Sequence, residues 1–526
     1  MTDVRPERIP PAPAAASLED LFEQRLRQRN GSSDTHGPDF PPQVSPAAVP
    51  ASPVAADGQA LGVLPVGYEV ISDLRQQASS KIGQASAADG TMSPQDQRQL
   101  GLKIIRETVS EWATRYAATA VQPLTDAQEA QLRQAVFDEL FRAGRLQPLL
   151  DNPNVENILI NGDRVRVDFA DRPSQQWDPI APNDRELVRL INHIARMQGQ
   201  GERALTPATP NLNMRLGDGS RLAASYLITP RPQIVIRRHR TRGQGLDDLM
   251  KWGTIDSTLA AFLRTSVKAR KNIVLVGSQG AGKTSLLRAM AREIPRTERV
   301  GTLESEYELY LHEDPDGPEV VAYEGRESNG ERGPDGKPLG ELTLSDLFPQ
   351  LLRMSLRRII VGEVRSKEVV PMLHAMNTSE GGSMCTLHAE TAQLSSERLV
   401  TLCLEAGIGM SEALAYRLVA QAIDLVVYIR LVDETELTDA SGRPGRKHRF
   451  VSHVMEITGI GENNRPSHQM IFAPREEGGI REPRAVPQQM PSPRYLADIE
   501  RAGFARQELT RPWGSWTGRL ETVMPL

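Results

Sequence analysis

Along the chain the spacing of apolar positions changes several times, and each change marks a boundary. Residues 1–66 have no spacing to read. Pro, Ala, Ser and Gln dominate, and runs such as Pro41-Pro42-Gln43-Val44-Ser45-Pro46 exclude a helix interior or a central strand. So little apolar surface cannot offset the entropy of ordering the segment. It is read as a disordered tail with one short docking helix near Leu18–Leu26. From 67 to 148 the spacing becomes helical. Leu100, Leu102, Ile104, Ile105, Val109 and Trp112 fall near one face, and Leu132, Val136, Leu140 and Phe141 form a second stripe. Thr125 with Gln128 three residues on reads as a capping box opening that second helix.

Residues 149–240 mix strand and helix signals. Val155–Ile160 and Val165–Phe169 flank an Asn161-Gly162 turn, and Asn183 caps a helix carrying Leu187, Leu190, Ile191 and Ile194. A hairpin around Gly217-Asp218-Gly219 and a strand Ile234–Arg238 complete a small α/β domain. Residues 241–475 alternate short apolar strands with helices: strands at 272–276, 300–303, 358–361 and 384–387, with helices between them. Such alternation predicts a mostly parallel sheet covered on both faces. Further strands are expected at Ile423–Ile429, Phe450–Thr458 and Met470–Phe472. The stretch from His312 to Gly340, loaded with Gly, Pro, Asp and Glu, reads as a long surface loop. Residues 476–526 read as a Pro-rich C-terminal tail with one short helix near Arg494–Ala502.

Composition narrows this picture. The chain has 526 residues, with 39% apolar and 25% charged side chains, ordinary values for a globular protein. A net charge of −5 argues against a surface devoted to nucleic acid, so no direct nucleic-acid binding is expected. Two cysteines, Cys385 and Cys403, cannot build a disulfide framework or a four-thiolate zinc site. No apolar run approaches the roughly 20 residues that span a bilayer, and the N-terminus lacks an apolar signal core. A cytoplasmic protein is expected, meeting the membrane only through partners or a surface.

Chemistry concentrates in one run. Gly277-Ser278-Gln279-Gly280-Ala281-Gly282-Lys283-Thr284-Ser285 follows an apolar strand and opens an apolar helix, the context that G-x-x-x-x-G-K-[ST] requires. Its glycines let successive N–H groups turn inward, and the helix adds its positive end. Lys283 would reach the β- and γ-phosphates of ATP, and the Thr284 hydroxyl would bind Mg²⁺. Glu363 ends the apolar strand Arg358-Ile359-Ile360-Val361-Gly362, at the same sheet edge. It would polarise water, hold Mg²⁺ through water, or do both. The commoner pattern has Asp where Gly362 stands. Glu304, Glu306 and Glu308 follow another strand, with Glu304 the first choice for a role and Glu308 the second; so many carboxylates are costly without a nearby cation. His388 follows a third strand and would contact the γ-phosphate or report its loss. Arg215, Arg221, Arg237, Arg238 and Arg240 precede the ATPase region. From spacing alone each reads as a solvated charge.

Together these motifs resemble the secretion-ATPase family of type II secretion, type IV pili and type IV secretion. The resemblance covers about Asn154 to Ile429 and leans toward the branch serving tight-adherence (Flp-type) pili. It rests on the phosphate loop, the acidic Thr302–Leu309 run, Ile359–Arg365, Ala375-Met376-Asn377-Thr378, and the histidine run Gly381–Ala389. Upstream, Asn157–Gly162 and Gly217–Leu222 are similar to the family's N-terminal domain. The resemblance implies an N-terminal α/β domain linked to a RecA-like P-loop ATPase domain, here preceded by a helical module. It implies a homo-hexamer, an inner-membrane platform protein as partner, and a place at the inner face of the cell membrane. Glu363 would be the catalytic carboxylate, Glu304 and Glu308 the acidic box, His388 the histidine box, and Arg215, Arg221 and Arg238 the completing arginines. ATP hydrolysis would drive pilus assembly or protein secretion; the alternatives are DNA transfer in conjugation or a weakly hydrolysing regulatory subunit. Several departures stand out. Arg357 replaces the Asp usual before Arg358, Ser366 a Gly and Glu390 an Asn, and the loop 312–340 looks expanded. The four-cysteine zinc motif of the type II branch is absent.

Overall fold

The structure, a computed structural model, describes residues 66–525 except 90–92, 121, 199–203, 239–242, 327, 329–332, 334–339, 379 and 440. The expected tail up to residue 65, its docking helix near Leu18–Leu26, and Arg240 lie outside the described residues. Three helices come first: Tyr68–Asp89, Pro94–Ala117 and Asp126–Phe141. Ser93 caps the second by accepting from the Asp96 amide, with Pro94 in the first turn, where its missing N–H costs nothing. Thr125 and Gln128 make the expected capping box at the third. Leu74, Val109, Leu132 and Val136 are fully buried where the three helices meet.

A six-stranded sheet follows: β1 (Val155–Asn161), β2 (Arg164–Phe169), β3 (Gln175–Trp177), β4 (Asn211–Arg215), β5 (Arg221–Ser225) and β6 (Gln233–Arg237). Its order is β3-β2-β1-β6-β5-β4, with every neighbour antiparallel. Alternation buries Ile158 and Ile160 of β1 and Ile234 and Ile236 of β6, packed with Leu187, Ile191 and Ile194 of the helix Asp184–Met197. The opposite parity of β6, Val235 and Arg237, is exposed.

The second sheet has nine strands: β7 (Ile273–Val276), β8 (Arg299–Glu304), β9 (Glu319–Glu324), β10 (Arg358–Val364), β11 (Met384–Leu387), β12 (Leu425–Asp433), β13 (Lys447–Ile460), β14 (Pro466–Glu477) and β15 (Ile480–Pro487). The order is β15-β14-β13-β12-β7-β11-β10-β8-β9. Strands from β12 to β9 run parallel, and β13 to β15 add an antiparallel meander. Ile273 and Leu275 point into one core and Val274 and Val276 into the other, so both faces of the central strand are covered. Among the described residues no helix is long and apolar enough to cross a membrane.

Two expectations are corrected. The surface loop 312–340 contains strand β9, whose Val320, Val321 and Tyr323 pair it along β8; Gly, Pro and acidic residues on both sides hide this short β-prone run. The C-terminal segment is structured rather than a tail. β15 completes the sheet, and Tyr495, Leu496 and Ile499 of the helix Pro493–Arg501 join its core. Beyond that helix, buried Asp256 accepts from the Ser515 amide at 2.6 Å, Trp516 donates to the Ala485 carbonyl at 3.1 Å, and Glu434 accepts the amides of Val523 and Met524 at 2.9 Å each. The helix Glu412–Ala422 was also not anticipated.

Where an Asp is usual before β10, this chain has two consecutive arginines with different surroundings. The fully buried Arg358 makes a forked pair with Glu298, at 2.6 and 2.8 Å, and donates to the Val267 carbonyl at 2.6 Å. Arg357 turns outward to Glu380 at 3.2 Å.

Candidate functional site

β7 is short because it ends at Gly277, where any side chain would collide with a neighbouring strand. A Cβ there would lie 2.4 Å from the Ile429 carbonyl oxygen of β12. Gly280 and Gly282 then take left-handed conformations, with φ of 74° and 99°, that L side chains avoid. Gly282 opens the helix Lys283–Ala291, so the loop gathers backbone amides at a positive helix end. Gln279 to Ser285 line a cavity of about 460 Å³. Lys283 Nζ donates to the carbonyls of Gly277 at 3.1 Å and Ser278 at 2.9 Å. Burial pushes the Lys283 ammonium down to about 8, against a counter-pull from Glu363.

Glu363 sits where β10 breaks register with β11, between Val361 and Val364. The Thr386 hydroxyl donates to the Gly362 carbonyl at 2.6 Å and holds this kink. One Glu363 oxygen meets Nε2 of His388 at 3.1 Å, and the other accepts from Arg365 at 2.6 Å. His388, directly after β11, also lies 3.3 Å from Lys283 Nζ. Burial and then Lys283 hold the imidazole below its ordinary value. The ammonium stands 3.3 Å from both ring nitrogens, while Nε2 faces the Glu363 carboxylate, so the imidazole touches both groups at once. Lysine, histidine and carboxylate therefore form one connected line across the loop.

Glu304 ends β8 and is 2% exposed. One oxygen accepts from the amides of Glu308 and Leu309 at 2.9 Å each, and the other has no hydrogen-bond partner among the described residues. Burial pushes this carboxyl up to about 7. A Cβ at Gly362 would stand 3.0 Å from Glu304 Cγ. The residue departing from the commoner pattern thus leaves the space that Glu304 occupies. Glu304 lies behind the cavity wall, whereas Glu308 lines it.

The three candidate arginines have separate fates. Arg221 lies between Glu306 and Glu308, paired with both carboxylates. Arg215 pairs with Glu324 at 3.4 Å and stands over the Tyr307 ring, away from the cavity lining. Arg238 touches the cavity but donates to the carbonyls of Asn152 and, at 3.5 Å, Leu149. The neighbouring Arg237 is on the exposed face of β6 and lines the cavity; strand alternation was the signal that separates it from Arg238. Lys447 and Arg449 of β13 also line the cavity. No sequence signal marked them, because they arrive from a strand far along the chain.

These residues fit Mg·nucleotide. Left-handed glycines shape the cradle, a buried lysine stands in it, and Thr284 and Glu363 offer hard oxygen donors in the same cavity.

A family model described as "Type II/IV secretion system protein" matches residues 162–465. A putative conjugal transfer protein of Mycobacterium tuberculosis is 32% identical over 322 residues, 58% of this chain and 87% of that protein. The type IV secretion system protein VirB11 of Brucella suis is 28% identical over 336 residues, again 58% and 87%. An uncharacterized protein of Methanocaldococcus jannaschii is 29% identical over 306 residues, and the match spans 40% of its length. Among solved structures, the VirB11 ATPase of Brucella suis with sulphate aligns over 61% of this chain and 96% of its own, at 25% identity and a TM-score of 0.29. The pilus retraction motor PilT with bound ADP aligns over 59% and 82%, at 17% identity and a TM-score of 0.39.

Proposed function

Starting from the fact that this chain belongs to the type II/IV secretion system protein family, which implies P-loop ATPase activity with ATP and Mg²⁺, we propose that it is the motor of a pilus-assembly or secretion machine. The observation that carries this reading is the line Lys283–His388–Glu363 across the phosphate loop. In this reading, the loop amides from Gly277 to Ser285 and the Lys283 ammonium hold the β- and γ-phosphates, and Thr284 holds the metal, with Glu363 near it directly or through water. Magnesium, when bound, supplies positive charge to the phosphate oxygens. Glu363 orients and polarises the attacking water. His388, joined to both Lys283 and Glu363, senses whether the γ-phosphate is present. Glu308 and Arg221 form a charge pair at the cavity wall that positions the N-terminal sheet over the nucleotide. Arg237 is our candidate for the cation nearest the phosphates.

The finer assignment follows the motif resemblance: a homo-hexamer of the tight-adherence branch, cytoplasmic, held at the inner membrane face by a platform protein. The domain divisions at 66, 148, 240 and 475 belong to this proposal, with the last moved beyond β15 and the helix Pro493–Arg501. A second reading, DNA transfer, is favoured by the conjugal-transfer relatives of Mycobacterium tuberculosis. Deleting the gene and complementing it with the wild type or with Glu363→Gln separates the readings. Surface pili or a secreted protein lost on deletion and restored only by the wild type support the motor. Unchanged pili and secretion together with lost conjugation would replace it with the DNA-transfer reading.

A further inference from the structure

The cavity is also lined by residues that the chemistry above leaves unused, Glu156, Lys447 and Arg449 among them. There β13 runs past the phosphate loop with Lys447 and Arg449 on one face. His448, between them, is buried on the other face, 3.5 Å from Glu434. Arg449 is forked. Its Nε donates to the Gly280 carbonyl at 3.0 Å, and its terminal nitrogen reaches Glu156 at 3.1 Å. Lys447 Nζ lies 3.5 Å from the same carboxylate and donates to the Phe169 carbonyl at 3.3 Å. Glu156 belongs to β1, in the other sheet. One guanidinium therefore ties a carbonyl inside the phosphate loop to the N-terminal sheet.

That carbonyl matters because a peptide unit is planar and trans. Holding the Gly280 C=O on Arg449 fixes the opposite direction of the Ala281 N–H, which closes the turn of the phosphate loop on the Ser278 carbonyl at 3.4 Å. Gly280 has a left-handed φ of 74°, so rotation of this peptide is not blocked by a side chain. A planar guanidinium presents its donors in a fixed fork from separate nitrogens, a reach and geometry that a lysine's single ammonium nitrogen does not reproduce.

We propose that Glu156 is a positioning residue for nucleotide binding: it holds Arg449 on the Gly280 carbonyl, so that the seating of the N-terminal sheet sets the shape of the phosphate loop. This rests on the ATP-site reading above. It adds a second route, beside Arg237, by which movement of that sheet is felt at the phosphates.

The test is the dissociation constant for fluorescently labelled ADP, with Mg²⁺, on full-length wild type, Glu156→Gln, Arg449→Lys and the double variant. Each single change is expected to weaken binding about tenfold, and the double variant no further than either single, as coupled neighbours behave. The KM for ATP should rise by a similar factor while kcat stays within about twofold, and unfolding midpoints should stay close to wild type. Should Glu156→Gln fail to fold, Arg449→Lys carries the same KM-against-kcat test. Unchanged affinity in Glu156→Gln, or effects that multiply to about a hundredfold in the double variant, would overturn the positioning role while leaving the ATP site intact. Wild type that binds no labelled ADP would instead overturn the ATP-site reading itself.

Discussion

Lys283 shows how a single side chain carries both packing and chemistry. It is almost fully buried, and desolvation lowers its ammonium from 10.5 to about 8. In the nucleotide-free protein the proton is therefore lost as pH rises through about 8, well below the value for an exposed lysine. Phosphate binding needs the charged form. Affinity for labelled ADP should fall as pH rises from 7 to 9.5, and Lys283→Arg, which keeps its charge, should flatten the profile. A wild-type affinity independent of pH across that range would show either that this ammonium keeps its proton there or that it does not meet phosphate. Much at this scale was legible in the sequence. The glycine–lysine–threonine run, Glu363 and His388 were each readable from an apolar strand ending in a polar residue, and the structure brings all three together. The arginines were not. Arg215, Arg221 and Arg238 are spent on Glu324, on Glu306 and Glu308, and on helix-end carbonyls. Which acceptor a cation finds depends on tertiary approach, and spacing along the chain does not encode it.

At the scale of elements, the parallel core was readable because each of its strands is an apolar run bounded by helices. β9 and β15 were not, because an edge strand needs only a few half-buried residues and tolerates charge on its open side. Arg358 links this scale to stability. It starts β10, its side chain has no solvent exposure, and it donates two hydrogen bonds to Glu298 just before β8. Fully orphaning one partner of a buried pair costs about 3–5 kcal/mol; here Glu298 keeps Arg270 at 2.9 Å, so the loss of Arg358 falls toward the lower end of that range. Arg358→Met should therefore lower the unfolding midpoint substantially, while Arg357→Met, at an exposed pair with Glu380, should shift it little. Equal, small shifts for both variants would mean that the buried pair with Glu298 contributes little to stability.

At the scale of the whole molecule, the cavity is a junction of two sheets. The acidic turn after β8 reaches the β4–β5 hairpin through Arg221, and Tyr310 donates to the Gly219 carbonyl at 3.1 Å. Glu156 in turn meets Lys447 and Arg449. A ligand held between these contacts would be read by both sheets, which is what a motor requires of its fuel site. This arrangement was only partly visible in the sequence. The family resemblance announced two domains around a nucleotide, but Lys447 and Arg449 lie about 290 residues from their partner Glu156, and no local pattern joins them. The most direct measurement is steady-state phosphate release from Mg·ATP by the wild type, Lys283→Ala and Glu363→Gln, with ATP retention measured on the same samples. The account predicts turnover by the wild type only, retained ATP on Glu363→Gln, and none on Lys283→Ala. Glu363→Gln turning over ATP at the wild-type rate would contradict it.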